Sequence, residues 1–242
     1  RHDSGCRSAS VADAQGVDID VERAVGTAVA DAAGVEDVEN RCVDDARGAV
    51  GVVEKDAMLD GSSIRAGDVL VGIPSNGLHT NGYSLARKVF FETMKLKPRS
   101  RVPELGCRVG DELLKVHASY GPLVQALLKS FNKPGRARAI KGLAHITGGG
   151  FIDNIPRVLP RHCGVVIRKG SWPVLPVFEL IQKHGAVDDA EMHQVFNMGI
   201  GMTAIVSGPK ADGILRSIRR RGFGAWVIGE VTKGRGKVRL AS

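Results

Sequence analysis

Positions 74–84, PSNGLHTNGYS, place a titratable ring, several hydrogen-bonding side chains and two glycines in one polar run. Gly77 and Gly82 let backbone amides approach a ligand closely. Ser75, Asn76, Thr80 and Asn81 offer hydrogen bonds, and His79 offers an imidazole that changes charge near neutral pH. An anion or a polar heterocycle is the guest such a run suits. The competing reading is an ordinary turn with capping side chains.

A second run, AHITGGGF at 144–151, sets Gly148, Gly149 and Gly150 at a strand end just before a helical stretch. Successive unencumbered amides at a helix start form a cradle for phosphate, to which Thr147 adds a hydroxyl. His145 lies two residues before Thr147, so both side chains share a face if the strand continues that far. No Gly-Lys-Ser/Thr follows, so this is not a Walker A loop.

A third run, VFNMGIGM at 195–202, places Asn197 and two glycines before a strand. It reads as a polar contact at Asn197 or as a plain helix stop and strand start. Arg219, Arg220 and Arg221 fall in a last helical turn, where cations complement the helix dipole and face solvent. Met58, Met94 and Met198 read as packing residues. His117, His162, His184 and His193 show no ligand-like spacing, and the metal ligands stay unassigned. Cys6, Cys42, Cys107 and Cys163 are widely separated, signalling neither a zinc site nor a disulfide framework.

These runs need elements to hold them. GAVGVVEK (48–55) and DVLVGIPS (68–75) read as strands around the turn LDGS (59–62), and SLARKVFFETM (84–94) as a helix capped by Ser84. A helical region over 111–131 is interrupted at Gly121-Pro122. AIKGLAHI (139–146) and GVVIRK (164–169) read as strands, and PVFELIQKHG (176–185) and DAEMHQVF (189–196) as helices. GIGMTAIVS (199–207), PKADGILRSIRRRG (209–222) and GAWVIGEV (224–231) make a β-α-β unit, followed by a strand at KVRLA (237–241). The class is α+β: a layered α/β domain with a mixed, largely antiparallel sheet related to the split ferredoxin-like arrangement. One helix is expected over 22–33 in an otherwise weakly patterned start.

The net charge of +8 conceals a break. Residues 1–60 carry 6 Lys and Arg against 14 Asp and Glu, and the remainder carries 28 against 12. The basic body favours anionic partners: phosphorylated metabolites, nucleic acid or acidic protein surfaces. With 5% aromatic residues, few side chains remain for base stacking. No apolar run is long enough to span a bilayer, and the first residues lack a signal-peptide core, so a soluble cytoplasmic protein is expected.

Taken together, GVVEKDAMLDGSSIRAGDVLVGIPSNGLHTNGYSLARKVF (51–90), GLAHITGGGFIDNIPRVLP (142–160) and EMHQVFNMGIGM (191–202) closely resemble the phosphoribosylformylglycinamidine cyclo-ligase (aminoimidazole ribonucleotide synthetase) family, in the family's order. ADAQGVDID (12–20) resembles its opening segment, and RCVDDAR (41–47) echoes one of its short elements. Between 20 and 48 the family's nucleotide-binding motifs find no match. The resemblance implies residues 1–55 as a shortened remnant of an amino-terminal ATP-binding domain and 56–242 as the carboxy-terminal synthetase domain. Selenophosphate synthetase and the hydrogenase maturation protein share the architecture but depend on reactive cysteines that this chain does not place suitably.

The resemblance further implies ATP-dependent ring closure of formylglycinamidine ribonucleotide to aminoimidazole ribonucleotide, with ATP and Mg2+ as cofactors, a phosphoribosylated substrate and a homodimer. It implies His79 and His145 as catalytic candidates. Ser75, Asn76, Gly77, Asn81, Gly82, Thr147, Gly148, Gly149, Gly150 and Asn197 would bind substrate or phosphate. Because ATP and Mg2+ sit largely in the unmatched part of the family, little activity is expected of these 242 residues alone. A non-catalytic module binding phosphometabolites or a protein partner is the alternative.

Overall fold

The computed structural model describes residues 57–241. The expected strand over 48–55, the helix over 22–33 and the remnant domain over 1–55 lie outside the described residues.

Eight strands are described: β1 Val69–Pro74, β2 Arg101–Val102, β3 Cys107–Arg108, β4 Ile140–His145, β5 Cys163–Arg168, β6 Ile200–Val206, β7 Trp226–Lys233 and β8 Val238–Ala241. β2 and β3 form a small hairpin, and the other six make one sheet in the order β4-β6-β1-β7-β5-β8. Every pairing in that sheet is antiparallel except β5 with β8. The expected mixed, largely antiparallel sheet is therefore present. Within it, β7-β1-β6-β4 reproduces the 4-1-3-2 strand order of a split βαβ ferredoxin-like sheet, extended beyond β7 by β5 and β8.

Strand alternation sends side chains to two faces, and both are covered. Val71 and Ile73 of β1, with Ile140 and Val206, pack against Leu123 and Leu127 of α3 (Gly121–Phe131) and Ile214, Leu215 and Ile218 of α7 (Ala211–Arg219). Leu70 faces the other way, with Val165, Ile167, Ile205 and Ile228. There it meets Phe90, Phe151, Phe178 and Phe196 from α1 (Tyr83–Arg87) with its continuation, α4 (Gly150–Asn154), α5 (Pro176–Gly185) and the end of α6 (Asp189–Val195). The result is a sheet between two helical layers. Burial of these large aliphatic and aromatic side chains, worth ~2 kcal/mol each, is the main favourable contribution to the fold.

Several local expectations are met. α2 (Val109–Leu113) and α3 are separate helices, with Pro122 in the first turn of α3 where its missing N–H costs nothing. Asp188 caps α6 by accepting from the Ala190 amide at 2.9 Å. Ser84 does not cap the helix after β1. The N-cap is Gly82 at φ 70°, with no side-chain cap bond, and Ser84 lies inside the first turn. The helix then widens into a π-helix over Lys88–Thr93. Met198 is buried, whereas Met58 is 48% exposed and does not serve packing.

Topology positions the site. β1 and β4 are both antiparallel to β6, hence parallel to each other, with Pro74 opposite Ile200 and His145 opposite Met202. The segments leaving β1 and β4 and the segment entering β6 therefore share one end of the sheet. Those segments are the three glycine-bearing runs.

Candidate functional site

The segment after β1 is a rigid turn held from below. Ser75 Oγ donates to Asn197 Oδ1 at 2.8 Å, and Asn197 Nδ2 donates to the carbonyl oxygens of Gly77 (3.0 Å) and Leu78 (3.4 Å). Asn197 Oδ1 also accepts from the Gly199 amide at 2.9 Å. With 1% exposure and its bonding capacity filled, Asn197 is a brace under the loop and leaves no face for a ligand. Ser75 is buried by the same bond. His79 and Thr80 both have positive φ, 54° and 67°, in consecutive non-glycine residues. Such backbone persists only where its surroundings hold it, and it gathers at functional sites.

The segment after β4 is pinned by a residue the sequence reading passed over. Asn154 Nδ2 donates to the carbonyl oxygens of Thr147 (3.3 Å), Gly148 (3.1 Å) and Gly150 (2.7 Å). In a trans peptide plane the N–H points opposite its C=O, so the Gly148 and Gly149 amides face away from Asn154. That is the arrangement an anion cradle needs. Gly149 at φ 92° requires glycine. At Gly150, φ 56°, a β-carbon would overlap the His193 carbonyl. One exposed carboxylate, Asp153, stands beside Gly149, and its charge opposes an anion at that corner.

The two loops touch. Thr147 Oγ1 donates to Asn81 Oδ1 at 3.2 Å, and Asn81 Nδ2 donates to the His79 carbonyl at 3.0 Å. His79 and His145 are joined through His117, from the segment between α2 and α3. The His79 and His117 rings stack with centroids 3.9 Å apart, and His117 Nε2 lies 3.2 Å from His145 Nε2. His117 Nδ1 lies 2.8 Å from the Ala118 carbonyl oxygen. His79 Nε2 is 2.6 Å from Asn76 Oδ1, while Nδ1 is buried without a partner among the described residues. Gly201 makes room for that ring: a β-carbon there would overlap the Tyr120 hydroxyl and come within 2.9 Å of His79. Tyr120 Oη in turn donates to the Pro74 carbonyl at 2.7 Å.

Burial drives His79 down to about 4, with repulsion from His117 and His145 adding to it, so the ring is neutral at physiological pH. His145 is lowered too. Although the residue is exposed, partial desolvation is the larger cause, and repulsion from His117 follows. Burial also pushes the Tyr120 phenol far above its usual range, so it keeps the proton it donates to the Pro74 carbonyl.

The structure thus brings together His79, Asn76, Asn81, His145, Thr147 and Gly148–Gly150. Gly77 shapes the turn, and Gly82 lets Phe196 pack against the start of α1. His117, Asn154, Tyr120 and Gly201 are additions. His117, Asn154 and Tyr120 lie outside the dense polar runs, and only the pairing of distant segments shows their place. Of the described residues, the one cluster of metal-competent side chains is His79, His117 and His145, within 4.8 Å of one another. Magnesium takes oxygen ligands, so these imidazoles do not fit it.

A mixed sheet between helical layers, with glycine-bearing polar loops converging at one end, is the class of domain defined here. Residues 65–241 match the family model of AIR synthase related protein, C-terminal domain. The chain belongs to that family. It is 47% identical over 188 residues to phosphoribosylformylglycinamidine cyclo-ligase of Syntrophus aciditrophicus, covering 78% of this chain and 52% of the relative. It is 46% identical over 187 residues to the cyclo-ligase of Geobacillus thermodenitrificans, covering 77% and 52%. The chain therefore spans about half the length of the curated relatives it matches. Among solved structures, thiamine-monophosphate kinase from Stenotrophomonas maltophilia superposes with a TM-score of 0.52 at 10% identity, covering 75% of this chain and 52% of that one. That likeness concerns the fold alone.

Proposed function

We propose that the described residues form the substrate-holding part of a phosphoribosylformylglycinamidine cyclo-ligase, which closes formylglycinamidine ribonucleotide to aminoimidazole ribonucleotide at the expense of ATP. The observation that carries this reading is the meeting of the Thr147–Gly149 cradle with His79 and His145 at one end of the sheet, the Gly150 amide being taken by the Thr147 carbonyl, in a chain 47% identical over 188 residues to an enzyme of that name. Phosphorylation of the formyl oxygen turns a poor leaving group into phosphate. The amidine nitrogen then attacks the formyl carbon, and phosphate departs.

In this reading the Gly148 and Gly149 amides hold a phosphate, toward which the Thr147 hydroxyl turns from Asn81, and Asn76 and Asn81 orient the polar substrate beside it. His145, at the exposed edge, receives the proton that the attacking nitrogen must lose. His79 stays neutral and sets the position of His117 by stacking. By the family resemblance, most of the ATP and Mg2+ site is assigned outside the described residues. A cytoplasmic setting and pairing with a second copy belong to the same reading. Among the described residues no helix is long and apolar enough to cross a membrane.

The test is to incubate the purified chain with formylglycinamidine ribonucleotide, ATP and Mg2+, following ADP and the imidazole product. We expect turnover far below that of a full-length relative. Turnover equal to such a relative would contradict the assignment of the ATP site outside the described residues.

A further inference from the structure

We propose that His117, His145 and His79 form a binding site for a divalent transition-metal ion of the zinc class, distinct from any Mg2+ used with ATP. The inference stands on side-chain geometry and does not depend on the substrate reading above.

Three observations carry it. First, the Nε2 atoms of His117 and His145 are 3.2 Å apart. Two imidazoles on one tetrahedral ion, each at about 2.0–2.1 Å from the metal, have nitrogens separated by about 3.3 Å. The pair already has the spacing of a zinc edge. Second, the tautomer of His117 is fixed. A backbone carbonyl only accepts, so Nδ1, 2.8 Å from the Ala118 oxygen, carries the ring proton and Nε2 presents its lone pair toward His145. A Nδ1–H bond to a backbone carbonyl is the usual outer support of a metal-ligating histidine. Third, His79 brings a third ring nitrogen within 4.8 Å of the other two. The residue is 97% buried, being 3% exposed, and one of its ring nitrogens has no partner among the described residues.

In the structure as it stands, His145 Nε2–H donates to the His117 Nε2 lone pair. On binding, His145 moves its proton to Nδ1 and both Nε2 lone pairs turn to the ion. His79 tilts out of its stack to supply the third nitrogen. The exposed edge of His145 leaves the fourth position open to water or to an oxygen of a ligand. Imidazole donors suit zinc, nickel, cobalt and copper and not magnesium, which sets the class of ion.

The experiment titrates Zn2+ into the full chain, prepared without a histidine tag, near neutral pH by calorimetry, with Co2+ absorption as a second readout. The expected result is one ion bound per chain with Kd tighter than about 10 μM. Excess Mg2+ should not displace it. Because the chain holds other histidines and cysteines, the variants decide. His117→Ala and His145→Ala should each weaken binding about tenfold or more and abolish the Co2+ ligand-field bands. His145 is exposed, so His145→Ala keeps the test valid should His117→Ala unfold. Binding weaker than that limit, or binding that both variants leave unchanged, overturns the proposal. Neither result bears on substrate binding, which is measured separately with formylglycinamidine ribonucleotide and no transition metal.

Discussion

His79 sits in a space made by the absence of a side chain opposite. A β-carbon at Gly201 would overlap the Tyr120 hydroxyl and crowd the imidazole, and both rings are buried, so neither shifts without cost. Gly201→Ala is therefore expected to cost ~1–3 kcal/mol of stability, as overpacking does, read as a lower urea midpoint with an unchanged slope. A change within error would mean the ring moves freely. Burial of His79 also gives a pH dependence of definite sign. Its folded value near 4 lies below the ordinary 6.5, so the unfolded chain takes up the proton first as pH falls. The stability held by the neutral ring is complete above about pH 6.5 and is lost as pH drops toward 4, by on the order of 2 kcal/mol. His145 acts in the same direction. Urea unfolding at several pH values should show this loss, and His79→Gln should flatten it; an equal slope in the variant would assign the effect elsewhere. His79, Asn81, His145 and Thr147 were legible in the sequence because polar and glycine residues crowd around them. His117 was not, since LLKVHASY has no such density and its meaning comes only from a partner 28 residues away.

At the scale of elements, the loops after β1 and β4 are each tied down by one buried asparagine. Asn197 holds the first through Ser75, Gly77 and Leu78, and Asn154 holds the second through three carbonyl oxygens. Asn197→Ala leaves the Gly77 carbonyl and Gly199 amide without partners below the surface. It should destabilise by ~1–3 kcal/mol and speed amide exchange through 75–82, while exchange in α5 and α7 keeps its native order. Uniform loss across the fold would show that the asparagine does not act locally. The long strands were readable from β-branched runs, and α3, α5 and α6 as helices, with Pro122 marking the start of α3; the Asp188 cap of α6 was not read. The hairpin β2–β3 was not, because two-residue strands carry no period. Ser84 misled for a similar reason: a serine near a helix start resembles a cap, but Gly82 already supplies the left-handed entry that sets where α1 begins.

Across the whole molecule, Lys141 and Asp68 form a buried ion pair, Nζ lying 2.7 and 2.8 Å from the two carboxylate oxygens, and this pair ties β4 to the residue that enters β1. Lys141→Met would strand the carboxylate and should cost ~3–5 kcal/mol in denaturant unfolding, whereas exchanging both partners for apolar residues should recover most of it. A small loss in the single variant would mean water reaches Asp68. The same two strands deliver the loops that define the site, so the fold and the site share one support. The order of elements and the family were legible in the sequence, because the long matching segments coincide with β1, β4, β6 and the loops that leave or enter them. What the paired segments build at the end of the sheet was visible only in three dimensions. The proposed holding of a phosphoribosylated substrate at this end of the sheet is measured by calorimetric titration of the 242-residue chain. Formylglycinamidine ribonucleotide should bind and its dephosphorylated nucleoside should bind about tenfold or more weakly. Gly149→Ala, strained at φ 92° and with its β-carbon within 2.7 Å of the Asp153 side chain, should remove most of that difference. Equal affinity for nucleotide and nucleoside, or binding of neither, would overturn the assignment of a phosphate cradle to Gly148 and Gly149.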